Sequence, residues 1–230
     1  MDPEMDFSGR HFPKDVILQA VRWYLRFCLS YRDLKEILEE RGIQLDHTTL
    51  YRWVQKYAPQ LEAEHRKRRK VSGTSWRMDE TYIKVKGEWT YLYRAVDTQG
   101  QTVDFLLTKK RDQKAALRFF RKTIRLNGMP DKVTIDKSGS NTAALDELNQ
   151  EQVKAGKPKI EVRQIKYLNN LVEQDHRGVK RRTRPMLGFQ SFKTARRALK
   201  GVELCHMIRK GQYDKTQSAS DWDYFYSPEG

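Results

Sequence analysis

The sequence predicts an α/β protein in which an all-helical segment precedes a mixed sheet flanked by helices. Apolar residues recur at helical spacing through residues 14–58. Residues 76–107 are instead rich in β-branched and aromatic side chains, which favour strands. Helical and strand-like segments then alternate up to residue 181. A chain of 230 residues has room for one large domain or two smaller ones.

Three helices are expected in the N-terminal segment. The first covers residues 14–27. Ser30 and Asp33 have the spacing of a capping box, so Ser30 should begin the second helix. Gly42 should end it, because the residue after a helix often needs a positive φ. Asp46 is a suitable N-cap for the third helix. A helix, a short glycine turn and a helix form the helix-turn-helix plan, although a small bundle with a polar surface has the same pattern.

The third helix is expected to end at Pro59, and its solvent side would bind DNA. Its polar residues carry groups that hydrogen-bond phosphates and base edges. A basic run, residues 66–70, follows and is expected to be a linker; phosphate binding and a solvated hinge both remain open for it. The candidate DNA-binding residues are Thr48, Thr49, Tyr51, Arg52, Gln55, Lys56, Arg66, Lys67, Arg68, Arg69 and Lys70.

The second part of the chain is predicted to have the order βββαβαβα. The predicted strands cover residues 76–85, 88–96, 102–107, 132–136 and 160–165, and the predicted helices cover 114–126, 141–154 and 171–181. This is the plan of the ribonuclease H-like fold. A further helix is expected over residues 192–209. The expected domains are therefore 1–65 (helix-turn-helix), 66–75 (basic linker), 76–185 (ribonuclease H-like) and 186–230 (C-terminal helix and tail).

Composition points to a polyanionic partner. Lys and Arg number 45 against 30 Asp and Glu, which gives a net charge of +15. Binding of such a chain to nucleic acid is favoured because each neutralised phosphate releases a counterion. Cys28 and Cys205 both lie in apolar helical patterns, which predicts reduced thiols. An acidic, polar start and the lack of 18 consecutive apolar residues predict an intracellular protein without a membrane span.

Three carboxylates occur at positions suited to metal binding. Asp79 interrupts a predicted strand, Asp136 ends another, and Glu173 lies in the first turn of a predicted helix. Carboxyl groups so placed can converge on two divalent ions, which activate an attacking oxygen and stabilise a leaving one at a phosphodiester. Each carboxylate also has an alternative role that needs no metal. Asp79 could face solvent from an edge strand, and Asp136 could belong to a turn or a helix N-cap. Glu173 could occupy the N3 position of a capping box in which Asn170 is the N-cap. Glu80 should point to the opposite face of the strand from Asp79, so only one of the two should bind the metal.

Basic groups accompany the third carboxylate. Glu173, His176, Arg177 and Lys180 are spaced to share one helix face. Arg177 and Lys180 could hold a DNA backbone beside the site, and His176 could tune it. We found no P-loop and no HExxH, GxSxG or GxGxxG motif that would favour another chemistry.

Over residues 9–212, the sequence resembles the DDE transposases of bacterial insertion sequences, most closely the insertion sequence six family. The matching segments are Gly9-Arg10-His11-Phe12, Ala20-Val21-Arg22-Trp23-Tyr24, Ser30-Tyr31-Arg32-Asp33-Leu34, Asp46-His47-Thr48-Thr49-Leu50-Tyr51-Arg52-Trp53-Val54, Met78-Asp79-Glu80-Thr81-Tyr82, Trp89-x-Tyr91-Leu92-Tyr93-Arg94-Ala95-Val96-Asp97, Gln164-Ile165-Lys166-Tyr167-x-Asn169-Asn170-x-x-Glu173-x-Asp175-His176, Leu187-Gly188-Phe189 and Arg209-Lys210-Gly211-Gln212.

The resemblance implies a metal-binding triad of Asp79, Asp136 and Glu173, with Lys180 as the accompanying basic catalytic residue. It implies binding of terminal inverted repeats and replicative movement through cointegrates. We therefore expect a Mg²⁺-dependent enzyme, with Mn²⁺ as a substitute, that acts on double-stranded DNA as a homodimer or higher oligomer in the bacterial cytoplasm. Two alternatives remain: a DNA-binding regulator with an inactive second domain, and a ribonuclease H-like nuclease or resolvase that does not join strands.

Overall fold

The computed structural model describes residues 7, 11–165, 169–186, 189–213 and 220–226. They form two compact units, the first comprising Met1–Lys70 with Val179–Gly230 and the second Val71–Gly178. Parts of the matching segments (residues 9–10, 166–167 and 187–188) and most of the tail lie outside the described residues. No helix in the described ranges is both long and apolar enough to span a bilayer.

Local capping signals shape the N-terminal helices of the first unit. These are α1 (Lys14–Arg26), α2 (Tyr31–Glu39) and α3 (His47–Arg66). Ser30 and Asp33 form the predicted capping box: each side chain accepts a hydrogen bond from the other's backbone N–H. The Asp46 carboxylate likewise accepts from the Thr48 N–H and caps α3. These confirmed caps explain why the helices begin where the sequence predicts.

The prediction that α3 ends at Pro59 is wrong, because the helix continues to Arg66. A proline inside a helix loses one backbone hydrogen bond and costs roughly 3 kcal/mol. Leu61 and His65, beyond the proline, are completely buried. Their burial offsets that cost, since the apolar surface of a leucine contributes about 1.5–3 kcal/mol when it leaves water.

The chain's last helices complete the first unit. The long helix α7 (Phe192–Arg209) packs on α1 and α3, and the short α8 (Asp221–Tyr226) packs on α7 and α1. Tyr224 and Phe225 of α8 are buried, and the Tyr224 ring centroid lies 5.2 Å from that of His65. The acidic and aromatic segment near the C-terminus therefore has a packing role in this unit.

Part of the basic run is held within the first unit. Arg66 is the last residue of α3, and its Nε lies 2.8 Å from Oε1 of Glu62. Arg69 pairs with Tyr213 in an isolated antiparallel bridge, and Lys70 N donates to Gln212 O over 3.0 Å. These contacts give residues 66–70 defined positions.

Gly201 of α7 lies against side chains of both α1 and α3. A Cβ at this position would lie 2.4 Å from Leu25 Cδ1 and 2.9 Å from Ala58 Cβ. We expect Gly201→Ala to destabilise the protein by about 1–3 kcal/mol through overpacking, although Gly→Ala inside a helix ordinarily stabilises it. Urea unfolding measures this change. Gly139→Ala, at the start of a helix with open space around it, is the control; a Gly201→Ala variant as stable as that control would contradict the expected close contact.

The second unit contains a five-stranded mixed sheet. Strands β1 (Ser75–Val85), β2 (Glu88–Val96) and β3 (Thr102–Thr108) form an antiparallel meander. The short strands β4 (Lys132–Thr134) and β5 (Glu161–Arg163) add in parallel, giving the order β3-β2-β1-β4-β5. Between and after them lie α4 (Gln113–Asn127), α5 (Gly139–Lys154) and α6 (Asn170–Thr183). This is the predicted ribonuclease H-like arrangement.

One face of this sheet forms the core of the second unit. Trp76 and Met78 of β1 pack with Tyr93 of β2, Phe119 of α4 and Val133 of β4. Residues 76 and 78 share a face because strand side chains alternate. Asp79 and Thr81 consequently point to the opposite face.

Candidate active site

The candidate site lies next to the point where the parallel pairing of β4 with β1 ends. The last parallel pair joins Arg77 to Thr134, so β4 ends two residues earlier than predicted. Asp136 follows this end, and its Oδ1 accepts a hydrogen bond from Ser138 N that turns the chain into α5. Asp79 lies two residues beyond Arg77 on β1. The parallel pairing of β1 and β4 therefore places Asp79 and Asp136 at the same edge of the sheet.

Three carboxylates converge at this edge. One oxygen from each of Asp79, Glu80 and Asp136 lies within 4.8 Å of the other two. The expectation that Asp79 and Glu80 exclude each other is therefore wrong for the geometry. Their side chains do leave β1 on opposite faces, but β4 has already ended at Thr134. No strand separates the two faces on that side, so both carboxylates can approach Asp136.

Burial and mutual repulsion act on Asp79. The pKa of Asp79 is raised to about 7, first because the carboxyl group is desolvated and then because Glu80, Asp136 and Glu173 are negatively charged. His176 Nδ1 lies 3.6 Å from Asp79 Oδ2, and the His176 side chain is buried. A cation at this edge would remove the repulsion that disfavours the charged form of Asp79.

Glu173 lies on α6 and is exposed to solvent. It is not part of the group of three oxygens, but its negative charge contributes to the raised pKa of Asp79. Asp175 anchors this helix: its Oδ2 lies 2.7 Å from Nη2 of Arg94 on β2, and Arg94 is fully buried. Arg94 pairs with Asp79 across β1 and β2. The ion pair thus fixes the helical turn of Glu173 over the strand of Asp79.

The four α6 residues at this helical spacing differ in burial. His176 lies with Val172 and Val179 on the buried side of the helix, while Glu173 and Arg177 are exposed. Residues at i, i+3 and i+4 form a broad stripe along a helix, and the packing of α6 buries one edge of this stripe while the other edge faces solvent. Lys180 is half-buried on the same helix, in the part of α6 that groups with the first unit.

Arg111 was not identified from the sequence. It lies between β3 and α4, and its Nη2 is 3.1 Å from Asp136 Oδ2 and 3.4 Å from Glu80 Oε2. The Glu80 side chain is almost fully buried, which raises the pKa of its carboxyl group, while the positive charge of Arg111 opposes that rise. Apart from a basic residue in a loop after a strand, nothing in the sequence indicates this bridge.

The donor atoms fit a divalent cation. All three are carboxylate oxygens, the ligand type that Mg²⁺ and Mn²⁺ prefer. Two oxygens that bind one Mg²⁺ at 2.0–2.1 Å lie at most about 4.2 Å apart, close to the spacing of these three. Small side-chain movements of Asp79, Glu80 and Asp136 would complete such a site.

Arg111 should compete with a metal for Asp136 and Glu80. We expect Arg111→Gln to bind Mn²⁺ more tightly, by about 2 kcal/mol, because a positive charge roughly 4 Å from a divalent ion is lost. Calorimetric titration of the full-length protein measures this affinity. Arg118→Gln provides the control, since Arg118 is exposed on α4. Unchanged or weaker Mn²⁺ binding by Arg111→Gln would show that Arg111 does not oppose the metal.

The predicted DNA-binding residues of α3 divide into two groups. Thr48, Tyr51 and Arg52 are exposed, and Thr49 and Lys56 are partly exposed. The expectation that Gln55 is exposed is wrong, since only 8% of the residue is accessible. Gln55 lines a groove with Thr194 and Arg197, so α7 covers this part of α3.

Some cations of the basic run are engaged inside the first unit. Lys67 Nζ lies 2.9 Å from Glu64 Oε2, and the Arg68 guanidinium lies 4.9 Å from the centre of the Tyr224 ring. Lys70 is exposed. The run therefore combines structural contacts with charge that faces solvent.

A ribonuclease H-like sheet with carboxylates gathered beside the end of β4 is typical of metal-dependent enzymes of phosphodiester chemistry. Comparison with known proteins gives the family of this chain. The DDE-domain model of IS240-type transposases matches residues 73–212. The chain is 47% identical over 206 residues to the Staphylococcus aureus transposases for the insertion sequence-like element IS431mec and for IS257 in transposon Tn4003, covering 89% of this chain and 88% of each relative.

The chain belongs to the DDE transposases, DNA-cleaving and strand-transferring enzymes of insertion sequences, and within them to the insertion sequence six family. Among solved structures, the HTLV-2 integrase catalytic core domain in complex with magnesium (trimeric form) matches with 17% identity and a TM-score of 0.43. That match covers 67% of this chain and 97% of the other.

Proposed function

We propose that this transposase binds the terminal inverted repeats of its element and uses Asp79, Asp136 and Glu173 to cleave the ends and join them to target DNA. The observation that carries the proposal is the convergence of carboxylate oxygens from Asp79, Glu80 and Asp136 at one sheet edge. In this proposal the first unit recognises the ends, using the exposed residues of α3, and the second unit performs the chemistry. Exposed Arg177 and half-buried Lys180 on α6 hold DNA beside the site.

Asp79 and Asp136, together with Glu173, would hold Mg²⁺, and Mn²⁺ would substitute for it. When bound, divalent ions activate the attacking oxygen and stabilise the leaving oxygen of a phosphodiester. Arg111 orients the Asp136 carboxylate, and His176 lies against Asp79 on the opposite side of the strand from Glu80. The protein's contribution is mainly positioning and charge complementarity.

The proposed reaction has two steps. Water attacks the phosphodiester at an end of the element, and the bond to the 3′ oxygen breaks to leave a free 3′-hydroxyl. That hydroxyl then attacks a phosphodiester of the target DNA: a new P–O bond joins the element to the target, and the target's own bond from phosphorus to the 3′ oxygen breaks to release a 3′-hydroxyl. Because two ends must meet one target, we propose that the protein acts as a homodimer or higher oligomer on DNA, in the cytoplasm, and moves replicatively through cointegrates.

A strand-joining assay tests this function. Full-length protein, Mg²⁺, labelled DNA carrying the parent element's ends and a target plasmid should yield a nicked intermediate and a joined product. Binding of the ends without nicking would favour a DNA-binding regulator. Nicking without joining would favour a nuclease or resolvase.

A further inference from the structure

The first unit contains a groove between α3 and α7 with a volume of about 530 Å³. Tyr51, Arg52 and Gln55 line it from α3, and Thr194 and Arg197 line it from α7. The two helices are far apart in sequence but pack closely. Each wall therefore contributes one arginine to the same groove.

The charge of the groove is entirely positive. Its lining residues include Arg52, Lys56 and Arg197 and no Asp or Glu. The groove also lies close to the first turn of α7, where the Ser191 hydroxyl accepts a hydrogen bond from Thr194 N. The N-terminus of a helix carries partial positive charge, which adds to that of the side chains. These features favour an anionic ligand.

Two glutamine side chains also line the groove. Gln55 is 8% exposed, and its Oε1 accepts no hydrogen bond from the part of the chain that the structure describes; the same holds for Gln60 Oε1. A buried oxygen without a partner is unfavourable, and because each of these oxygens is closed off from solvent, a ligand would reach the amide only after the side chain rotates. A half-turn of the amide presents NH₂ in place of the oxygen, so each can accept from or donate to a ligand.

We propose that this groove is part of the DNA-binding surface and that Arg197 of α7 contacts a backbone phosphate of the duplex that α3 binds. The proposal rests on the function proposed above and adds a helix from the C-terminal part of the chain to the DNA interface. Duplex DNA offers groups that suit the lining of the groove. Its phosphates can bind Arg52 and Arg197, and its base or sugar groups can hydrogen-bond with the glutamine amides. An arginine also matches the geometry of a phosphate.

Arg197→Ala in the full-length protein tests the contact. We expect weaker binding to end DNA and random DNA alike, since phosphates are common to both, and a salt slope reduced by about 0.9. Arg197→Lys should retain most of the slope. Arg209→Ala is the matched control: it removes the same charge from an exposed position at the other end of α7. Thermal unfolding of each variant shows that the first unit is intact.

The outcomes separate this inference from the proposed function. If Arg197→Ala binds like Arg209→Ala while Arg52→Ala loses affinity, α7 is not in the interface and the inference is overturned. If Arg197→Ala weakens binding to end DNA only, Arg197 reads bases and the phosphate assignment is overturned. If the unmodified protein does not prefer end DNA to random DNA at any salt concentration, the proposed function itself fails.

Discussion

Asp79→Asn and Asp136→Asn are each expected to lower the single-turnover rate of end cleavage by at least about 10³-fold, or roughly 4 kcal/mol of barrier. The amide keeps the shape of the carboxylate but binds divalent cations poorly. Affinity for end DNA should stay within a few fold, because neither residue belongs to the α3 surface. Gel-based cleavage with Mg²⁺ as the sole metal measures the rate. Asp131→Asn, an exposed aspartate just before β4, should cleave at the wild-type rate.

The same assay decides which glutamate acts as the third ligand. Glu173→Gln is expected to abolish cleavage as the aspartate variants do, whereas Glu80→Gln should retain part of the activity. Both glutamates are candidates for the third ligand. A Glu80 oxygen lies within 4.8 Å of oxygens of Asp79 and Asp136, and the negative charge of Glu173 on α6 contributes to the raised pKa of Asp79. Wild-type cleavage by Glu173→Gln together with an inactive Glu80→Gln would move the third ligand to β1.

Asp175→Ala is expected to destabilise the protein by about 3–5 kcal/mol, because it leaves the fully buried Arg94 guanidinium without its carboxylate. The free energy of urea unfolding measures this loss. Glu151→Ala provides the control: its pair with Arg121 spans 2.6 Å, but both side chains are about half exposed, so its loss should cost at most about 1 kcal/mol.

A double variant tests whether the cost comes from removing the carboxylate beside a buried guanidinium. Arg94→Met combined with Asp175→Leu removes both charges and should recover much of the lost stability. A single Asp175→Ala variant as stable as Glu151→Ala would show that the ion pair does not hold α6 on the sheet. Since α6 carries Glu173, loss of this anchor should also impair cleavage.

Local signals in the sequence specify most of the elements. Ser30 with Asp33 and Asp46 with Thr48 satisfy backbone groups within a few residues, so the starts of α2 and α3 were predictable. Lys86 and Gly87 adopt positive φ in the turn between β1 and β2, which glycine favours. The sequence likewise indicates Asp79 within one strand and Asp136 at the end of another, and the parallel pairing of β1 and β4 brings them to one sheet edge.

Distant packing determines what the sequence could not predict. α3 continues beyond Pro59 because Leu61 and His65 are buried, and Gln55 lies in a groove with residues of α7. The proximity of Glu80 to Asp136 depends on the early end of β4, and Arg111 enters the site from a loop. Gln55 and Arg111 each meet side chains from elements that are distant in the sequence.

The most direct test of metal-dependent chemistry at this site replaces one non-bridging oxygen of the scissile phosphate with sulfur. Full-length protein would cleave each stereoisomer of this DNA in single-turnover reactions with Mg²⁺ or Mn²⁺. Mg²⁺ prefers oxygen ligands, whereas softer ions tolerate sulfur. If the carboxylates hold metal against that phosphate, one stereoisomer should be cleaved slowly with Mg²⁺ and recover with Mn²⁺. Equal rates for both stereoisomers and for the unmodified DNA with Mg²⁺ would contradict metal contact at the scissile phosphate.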